Sequence, residues 1–425
     1  MMFEKYDAYK DSELPSFGSV PIHWEIVPLC SITTLKSITN VVNEELLSVY
    51  LDKGVIRFDD VTEKRTNVTS LDLSKYQLVE EGDFVLNNQQ AWRGSVGVSI
   101  YRGIVSPAYL VLKLSPKVDA KFANYFFRNS AMVSQYLINS KGVGTIQRNL
   151  YWQHLKRSDV VLPPREEQIE IAEFLNQKTS EIDQAIAIKE QQIALLNERK
   201  QIVIQKAVTQ GLDPNVPMRD SGVEWIGEIP EHWEVIRSKF LFTQRKENSK
   251  KDDVQLSATQ AYGVIPQEEY EKRTGKSVVK ISLHLDKRKR VHLNDFVISM
   301  RSFQGGLERA WAEGCIRSSY VVLKPLKPID PDYYGYLFKT PMYIKALQNT
   351  SNFIRDGQDL NFGNFSQVDL FIVPLSEQKQ IVEYIKRQLG DFEKHLELLY
   401  QQIEKLKEYK TILINDAVTG KIKVA

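Results

Sequence analysis

Two segments 209 residues apart carry the same pattern, G-x-x-P-x-H-W-E: Gly18, Pro21, His23, Trp24 and Glu25, then Gly227, Pro230, His232, Trp233 and Glu234. Asp83-Phe84-Val85-Leu86 returns as Asp295-Phe296-Val297-Ile298 after 212 residues. Gly103 with Tyr109-Leu110-Val111-Leu112-Lys113 returns as Gly314 with Tyr320-Val321-Val322-Leu323-Lys324 after 211. Pro164, Glu167 and Gln168 return as Pro374, Glu377 and Gln378 after 210, and Ala207-Val208-Thr209 as Ala417-Val418-Thr419. A period near half of the 425 residues is too long for a solenoid, so the chain is read as a duplicated two-part unit.

Each unit has a mixed front and a helical back. Runs such as Val96 to Ile100, Tyr109 to Leu112, Val278 to Ile281 and Val321 to Leu323, bounded by Gly, Pro and Ser, predict short strands. Helical stretches are predicted around Ala120 to Leu137 and Tyr333 to Leu347, giving an α+β front. Val160-Val161-Leu162-Pro163-Pro164 and Leu370-Phe371-Ile372-Val373-Pro374 end the fronts, and a proline there suits the first turn of a helix. The predicted division is a front domain at 1–162, a long helix at 163–211, a second front at 212–373 and a second long helix at 374–425.

Within the helices, spacings of four and three alternate through Ile182, Ile186, Lys189, Ile193, Leu196, Lys200, Val203 and Ala207. The equivalent ladder is Phe392, Leu396, Leu399, Ile403, Leu406, Lys410, Leu413 and Ala417. A mean spacing of 3.5 is a coiled-coil seam, here predicted to be antiparallel with approximate two-fold symmetry; an ordinary buried helix is the alternative. The helix from Arg165 to Gln210 would reach roughly 65 to 70 Å. A second apolar line, Ile188, Leu195 and Ile202, with Leu398, Lys405 and Ile412 in the other helix, calls for a further neighbour: either a front domain folding back or a partner's helices.

Catalytic readings lack their parts. Gly275-Lys276-Ser277 ends like a phosphate loop, but Tyr270 stands where the first glycine must be. Asp330-Pro331-Asp332-Tyr333 and Gly142-Val143-Gly144 fall short of an adenine methyltransferase's loops. The six histidines form no H-E-x-x-H, and there is neither a Cys/His zinc cluster nor a G-x-S-x-G elbow. His23 and His232 read as shared packing or hydrogen-bonding residues. No metal site is expected. Cys30 and Cys315 alone supply no disulfide framework and fit a reducing, cytoplasmic location. Met1 to Lys10 lacks a signal peptide's apolar core, and no membrane span is expected.

Two similar domains on a stiff spacer suit a split duplex site, whose halves lie about one helical turn, roughly 34 Å, or a multiple apart. Since the fronts differ between their shared motifs, the site is expected to be asymmetric. Lys+Arg 56 against Asp+Glu 54 argues against strong non-specific binding. Basic residues nonetheless cluster at Lys272, Arg273, Lys276 and Lys280, then at Lys287, Arg288, Lys289 and Arg290, and such clusters contact phosphate. Arginine pairs with guanine and Asn or Gln with adenine. Base-reading candidates follow the repeated D-F-V-[LI] strand: Gln89, Gln90, Trp92 and Arg93 in one half, Arg301, Ser302 and Gln304 in the other. A second pair precedes the long helices, with Gln147 and Arg148, then Arg355 and Gln358. The residues leave two rivals open: a coiled-coil protein adaptor without DNA specificity, or a stand-alone nuclease or methyltransferase.

Ser221-Gly222-Val223-Glu224-Trp225-Ile226-Gly227-Glu228-Ile229-Pro230-Glu231-His232-Trp233, the run from Ala91 to Tyr109, and Leu162-Pro163-Pro164-Arg165-Glu166-Glu167-Gln168 resemble the specificity subunit of type I restriction-modification systems, over nearly the whole chain. The resemblance implies two target-recognition domains separated by two long helices in an antiparallel coiled coil. It also implies a double-stranded DNA target, two methyltransferase subunits that methylate adenine at N6, and motor-nuclease subunits. S-adenosylmethionine, ATP and Mg would sit on those partners, and this chain would bind no cofactor. Glu13-Leu14-Pro15-Ser16 departs from the G-V-E-W of the second half, so looser packing is expected there; Arg317-Ser318-Ser319 likewise departs from Ser106-Pro107-Ala108.

Overall fold

A computed structural model describes residues 3–51, 53–60, 72–143, 147–278, 287–350 and 360–424, without the side chains of Val143 and Gln147. The chain forms two compact units, Met1–Lys189 with Tyr400–Ala425, and Glu190–Leu399.

The first unit opens with a hairpin of Tyr9–Asp11 and Ser19–Pro21, and Glu25–Pro28 then pairs antiparallel with Asp159–Leu162. Its main sheet orders Thr33–Lys36, Tyr109–Leu114, Phe84–Asn87 and Val96–Val98, all antiparallel. Two further ribbons, Leu47–Tyr50 with Gly54–Arg57 and Gln77–Val79 with Gly103–Val105, surround a small second core of Leu47, Val49, Val79, Val85 and Val111. The second unit repeats the plan. Met218–Asp220 pairs Glu228–Pro230, and Glu234–Arg237 pairs Asp369–Ile372. The sheet there runs Phe242–Gln244, Val321–Pro325, Phe296–Ile298, Glu308–Arg309. Leu256–Thr259 pairs Gly263–Pro266, and Lys289–Val291 pairs Gly314–Ile316. The strand expected at Val278 to Ile281 lies largely outside the described residues.

The repeated motifs are the side chains that fasten these parts together. Asp83 at the start of its sheet strand accepts from Lys36 Nζ at 2.5 Å and from the Glu80 amide at 2.8 Å. Asp295 takes the same place, bound by Arg245 Nε at 2.7 Å, Arg245 Nη2 at 2.9 Å and the His292 amide at 2.8 Å. Trp24 and Trp233 are fully buried, each donating from Nε1 at 3.1 Å to a carboxylate at the start of a long helix, Glu167 or Glu377. His23 and His232 meet the same carboxylates at 2.8 and 2.9 Å. Gln168 and Gln378 accept from the amides of Asp119 (2.8 Å) and Asp330 (2.7 Å). Those two aspartates in turn cap the helices Ala120–Phe126 and Pro331–Leu337. The histidines therefore serve hydrogen bonding, as their repetition beside tryptophan implied.

Each predicted front helix is two helices. Asn129 caps a second one, Ser130–Ile138, and Thr340 caps Pro341–Asn349, because a side-chain acceptor there satisfies the exposed amides of a fresh helix start. The leading segment of the first unit keeps the backbone turn of its counterpart, although Ser16 stands where Trp225 packs on Tyr343 and Phe371. Glu13 adopts φ 59° where Gly222 has φ 71°, and the Ser12 and Ser221 amides both close on the following glycine's carbonyl, Gly18 or Gly227, at 3.0 Å. The same turn is kept with a non-glycine residue, at about 1–2 kcal/mol of backbone strain. The departing segments Ser106–Tyr109 and Arg317–Tyr320 also make a common turn, with N–O distances of 3.0 and 3.1 Å.

The long helices are Arg165–Gln210 and Leu375–Val418, and they run antiparallel. Every seam position from Ile182 through Ile193, Leu196 and Val203 to Ala207, and from Phe392 through Leu396, Leu399 and Ile403 to Ala417, is buried or half-buried. In the first unit Ile182 and Ile186 share a core with Leu406, Leu413 and Ala417. Lys410, the polar member of its ladder, binds both carboxylate oxygens of Asp183 at 2.7 Å. In the second unit Ala207 and Val208 pack with Ile381, Val382 and Ile385. The second apolar line is exposed at Ile188 and Ile412 in the first unit and at Leu195, Ile202 and Leu398 in the second. Among the described residues neither front covers it. Among the described residues no helix is long and apolar enough to cross a membrane.

Candidate nucleic-acid interface

In the first unit the strand Phe84–Asn87 runs into a turn and a short 3-10 helix, Ala91–Arg93. Ala91 is buried and holds the turn to the core, and Gly94 closes it at φ 99°, a left-handed conformation that glycine adopts without steric cost. Gln89 and Arg93 are exposed, and Gln90 and Trp92 are half-buried. Trp92 Nε1 donates to the Gln89 carbonyl at 3.0 Å. The second predicted segment belongs to a hairpin, Ser140–Val143 with Gln147–Leu150, and the Leu150 amide donates to the Asn88 carbonyl at 2.9 Å. The two candidate segments of this half therefore meet. Arg93 lies 4.6 Å and Arg148 5.8 Å from the Trp92 ring centroid. The Gln147 side chain, with Arg355, Gln358 and Lys280, lies outside what the structure describes.

In the second unit the equivalent turn leads into a short helix, Ser302–Gly305. Arg301, which precedes that helix, and Gln304 within it are both exposed. Ser302 is corrected: it is fully buried, and its hydroxyl accepts the Ser299 amide at 2.8 Å, closing the turn rather than meeting a ligand. Gln260, on the tip of the ribbon Leu256–Thr259 and Gly263–Pro266, donates from Nε2 to the Arg301 carbonyl at 3.3 Å. Sequence reasoning missed Gln260; the only local signal was a polar tip between two short apolar runs. Trp311 is exposed against Gly263 of the same ribbon, which is too tight there to admit a Cβ next to Trp311 Nε1, and Arg309 Cζ lies 4.2 Å from its ring centroid.

The basic run is half withdrawn. Lys287 is exposed, while Arg288, just ahead of the strand Lys289–Val291, is only 5% exposed and bonds the Cys315 carbonyl at 3.4 Å. Lys289 Nζ donates to the Tyr320 carbonyl at 2.6 Å, and Arg290 is held by Asp253 at 2.7 Å. Arg288 and Arg290 are thus corrected to internal partners of the second unit. Lys276 is exposed just past the helix Gln267–Thr274, where Gly275 turns the chain at φ 67°.

Next to this run Glu247 bonds His292 at 2.9 Å and Arg245 at 2.7 Å, which pulls its carboxyl down to about 2, the His292 hydrogen bond contributing most. A depressed carboxylate stabilises the fold fully above its ordinary value of 4.5 and loses that contribution as pH falls toward about 2. The melting temperature of Glu247→Gln should lie below wild type at neutral pH, and the gap should close between pH 4.5 and 2. The carboxylate is partly solvated, so the gap is small; a gap constant across that window would contradict the ion-pair account.

Among the described residues no three His, Cys, Asp or Glu side chains gather to hold a metal. The family described as Type I restriction modification DNA specificity domain matches residues 21–198 and again 230–408. The chain is 24% identical over 451 residues to the putative type I restriction enzyme MjaX specificity subunit of Methanocaldococcus jannaschii, covering 100% of this chain and 99% of the relative. It is 28% identical over 229 residues to the MjaVIII specificity subunit of the same organism, covering 52% of this chain and 49% of that one. Among solved structures, a chain from a study of complex assembly and conformational transition of the type I R-M system is similar over 94% of this chain and 98% of that one, at TM-score 0.61 and 14% identity. The HsdS subunit from Thermoanaerobacter tengcongensis is similar over 95% and 98%, at TM-score 0.53 and 14% identity.

Proposed function

Because the chain belongs to the type I restriction modification DNA specificity family, whose members are non-catalytic specificity subunits, we propose that each of its units reads one half of a split, asymmetric duplex site. One observation carries this reading. The two units share their fastening residues, Asp83 and Asp295, Glu167 and Glu377, Gln168 and Gln378, yet present different groups from the same turn, Trp92 and Arg93 against Arg301 and Gln304. A common scaffold with unlike exposed donors suits two unlike half-sites. Gln89, Gln90, Lys276 and Lys287 would add base or phosphate contacts around these turns.

The chemistry belongs to partners. The exposed apolar residues of the long helices, Leu195, Ile202 and Leu398 in one unit and Ile188 and Ile412 in the other, would receive two methyltransferase subunits. S-adenosylmethionine would be held there for adenine N6 methylation, with motor-nuclease subunits using ATP and Mg for restriction, in the cytoplasm. Leu195→Glu with Ile202→Glu should reduce co-purification of a family methyltransferase about tenfold or more while leaving duplex selection intact.

The direct test exposes the purified chain to a random duplex pool at two salt concentrations, then maps N6-methyladenine in cells co-expressing a family methyltransferase. A split motif that coincides with the methylated sites, and affinity that falls with salt, is expected. Absence of any selected motif would leave the chain a protein adaptor.

A further inference from the structure

Resting on the reading of the first unit as a recognition domain, we propose that Trp92 is a positioning residue that holds Arg93 and Arg148 as a guanidinium pair, and that the pair reads a guanine in one half-site only. Three independent features place it. The ring is fixed from within its own turn by the Nε1 bond to the Gln89 carbonyl at 3.0 Å. The turn is anchored by Ala91, which is fully buried in the core of the unit. The hairpin that brings Arg148 is tied to the turn by the Leu150 to Asn88 backbone bond at 2.9 Å.

The lack of a carboxylate partner among the described residues separates the pair from other arginines of the unit. Arg57 is paired with Glu45 at 3.3 Å, and Arg102 with Glu44 and Glu80 at 2.9 and 3.0 Å. Among the described residues neither Arg93 nor Arg148 has a carboxylate partner; their near neighbour is the indole face, at 4.6 and 5.8 Å. Stacking on an aromatic ring fixes the plane of a guanidinium while leaving its N–H edge open. A phosphate needs only a nearby positive charge, whereas the O6 and N7 acceptors of guanine need two parallel donors in a set plane. A ring that orients the guanidinium planes is therefore matched to base reading. The second unit carries Arg301, Gln304 and Gln260 at the corresponding turn, and its own stacked guanidinium, Arg309 on Trp311, is bound by Asp332 and Asn294, which confines the effect to one half-site.

The experiment selects duplexes from a random pool with the full-length chain as wild type, Arg148→Gln, Trp92→Ala and Trp92→Phe, each first checked for an unchanged melting temperature. Wild type should return two half-motifs. Arg148→Gln and Trp92→Ala should lose about tenfold preference at the same G·C pair of one half-motif and leave the other half-motif intact. Trp92→Phe, which keeps an aromatic face, should retain the preference. Uniform weakening with an intact motif and a shallower salt dependence would mean phosphate contact and would overturn the proposal, as would unchanged selection by both. A wild-type chain that selects nothing would instead refute the recognition reading itself.

Discussion

Replacing Asp295 with alanine should destabilise the second unit by about 3 kcal/mol, read as a loss of hydrogen-exchange protection across its sheet with the first unit unaffected. The carboxylate is buried and takes two hydrogen bonds from Arg245 and one from the His292 amide. Alanine leaves a largely buried guanidinium with only the half-exposed Glu247, and a backbone N–H without its acceptor. Both losses carry desolvation costs that exceed the net worth of the bonds themselves. Asp83→Ala should act the same way in the first unit through Lys36. The double change Arg245→Met with Asp295→Leu should cost less than Asp295→Ala, since no charge is then stranded. A loss below about 1 kcal/mol for the single change would show that the repeated aspartate is not a fastening residue. Local exchange is the suitable measurement because a chain of two units need not unfold in one step.

This aspartate also shows what the sequence makes legible. A residue returning at nearly one shift, amid segments that do not return, marks an interaction both units need. The aspartate before each central strand, the glutamate beneath each buried tryptophan and the glutamine that receives each cap's amide all follow that logic. The seam is legible for a different reason: helical periodicity fixes which side chains share a face, and the exposed second line follows from the same geometry.

The recognition face is only partly legible, since it depends on which distant segments meet. Nothing in the spacing of Trp92 and Arg148 tells that a hairpin carries one to the other. The run from Lys287 to Arg290 reads as a surface patch by composition, but Arg288 is buried against the Cys315 carbonyl and Arg290 is held by Asp253. Ser302 follows a polar turn in sequence yet closes that turn from inside. Gln260 comes to Arg301 from a ribbon tip 41 residues earlier.

We propose that the two long helices set the gap between the two half-sites. Inserting one heptad after Gln191 and another after Gln401, positions equivalent under the 210-residue shift, keeps the seam in phase while lengthening both helices. Seven residues add roughly 10 Å, about three base pairs of duplex. Duplex selection with this chain should return both half-motifs unchanged and the gap between them wider by about three base pairs. The same two half-motifs at the original gap would contradict the claim.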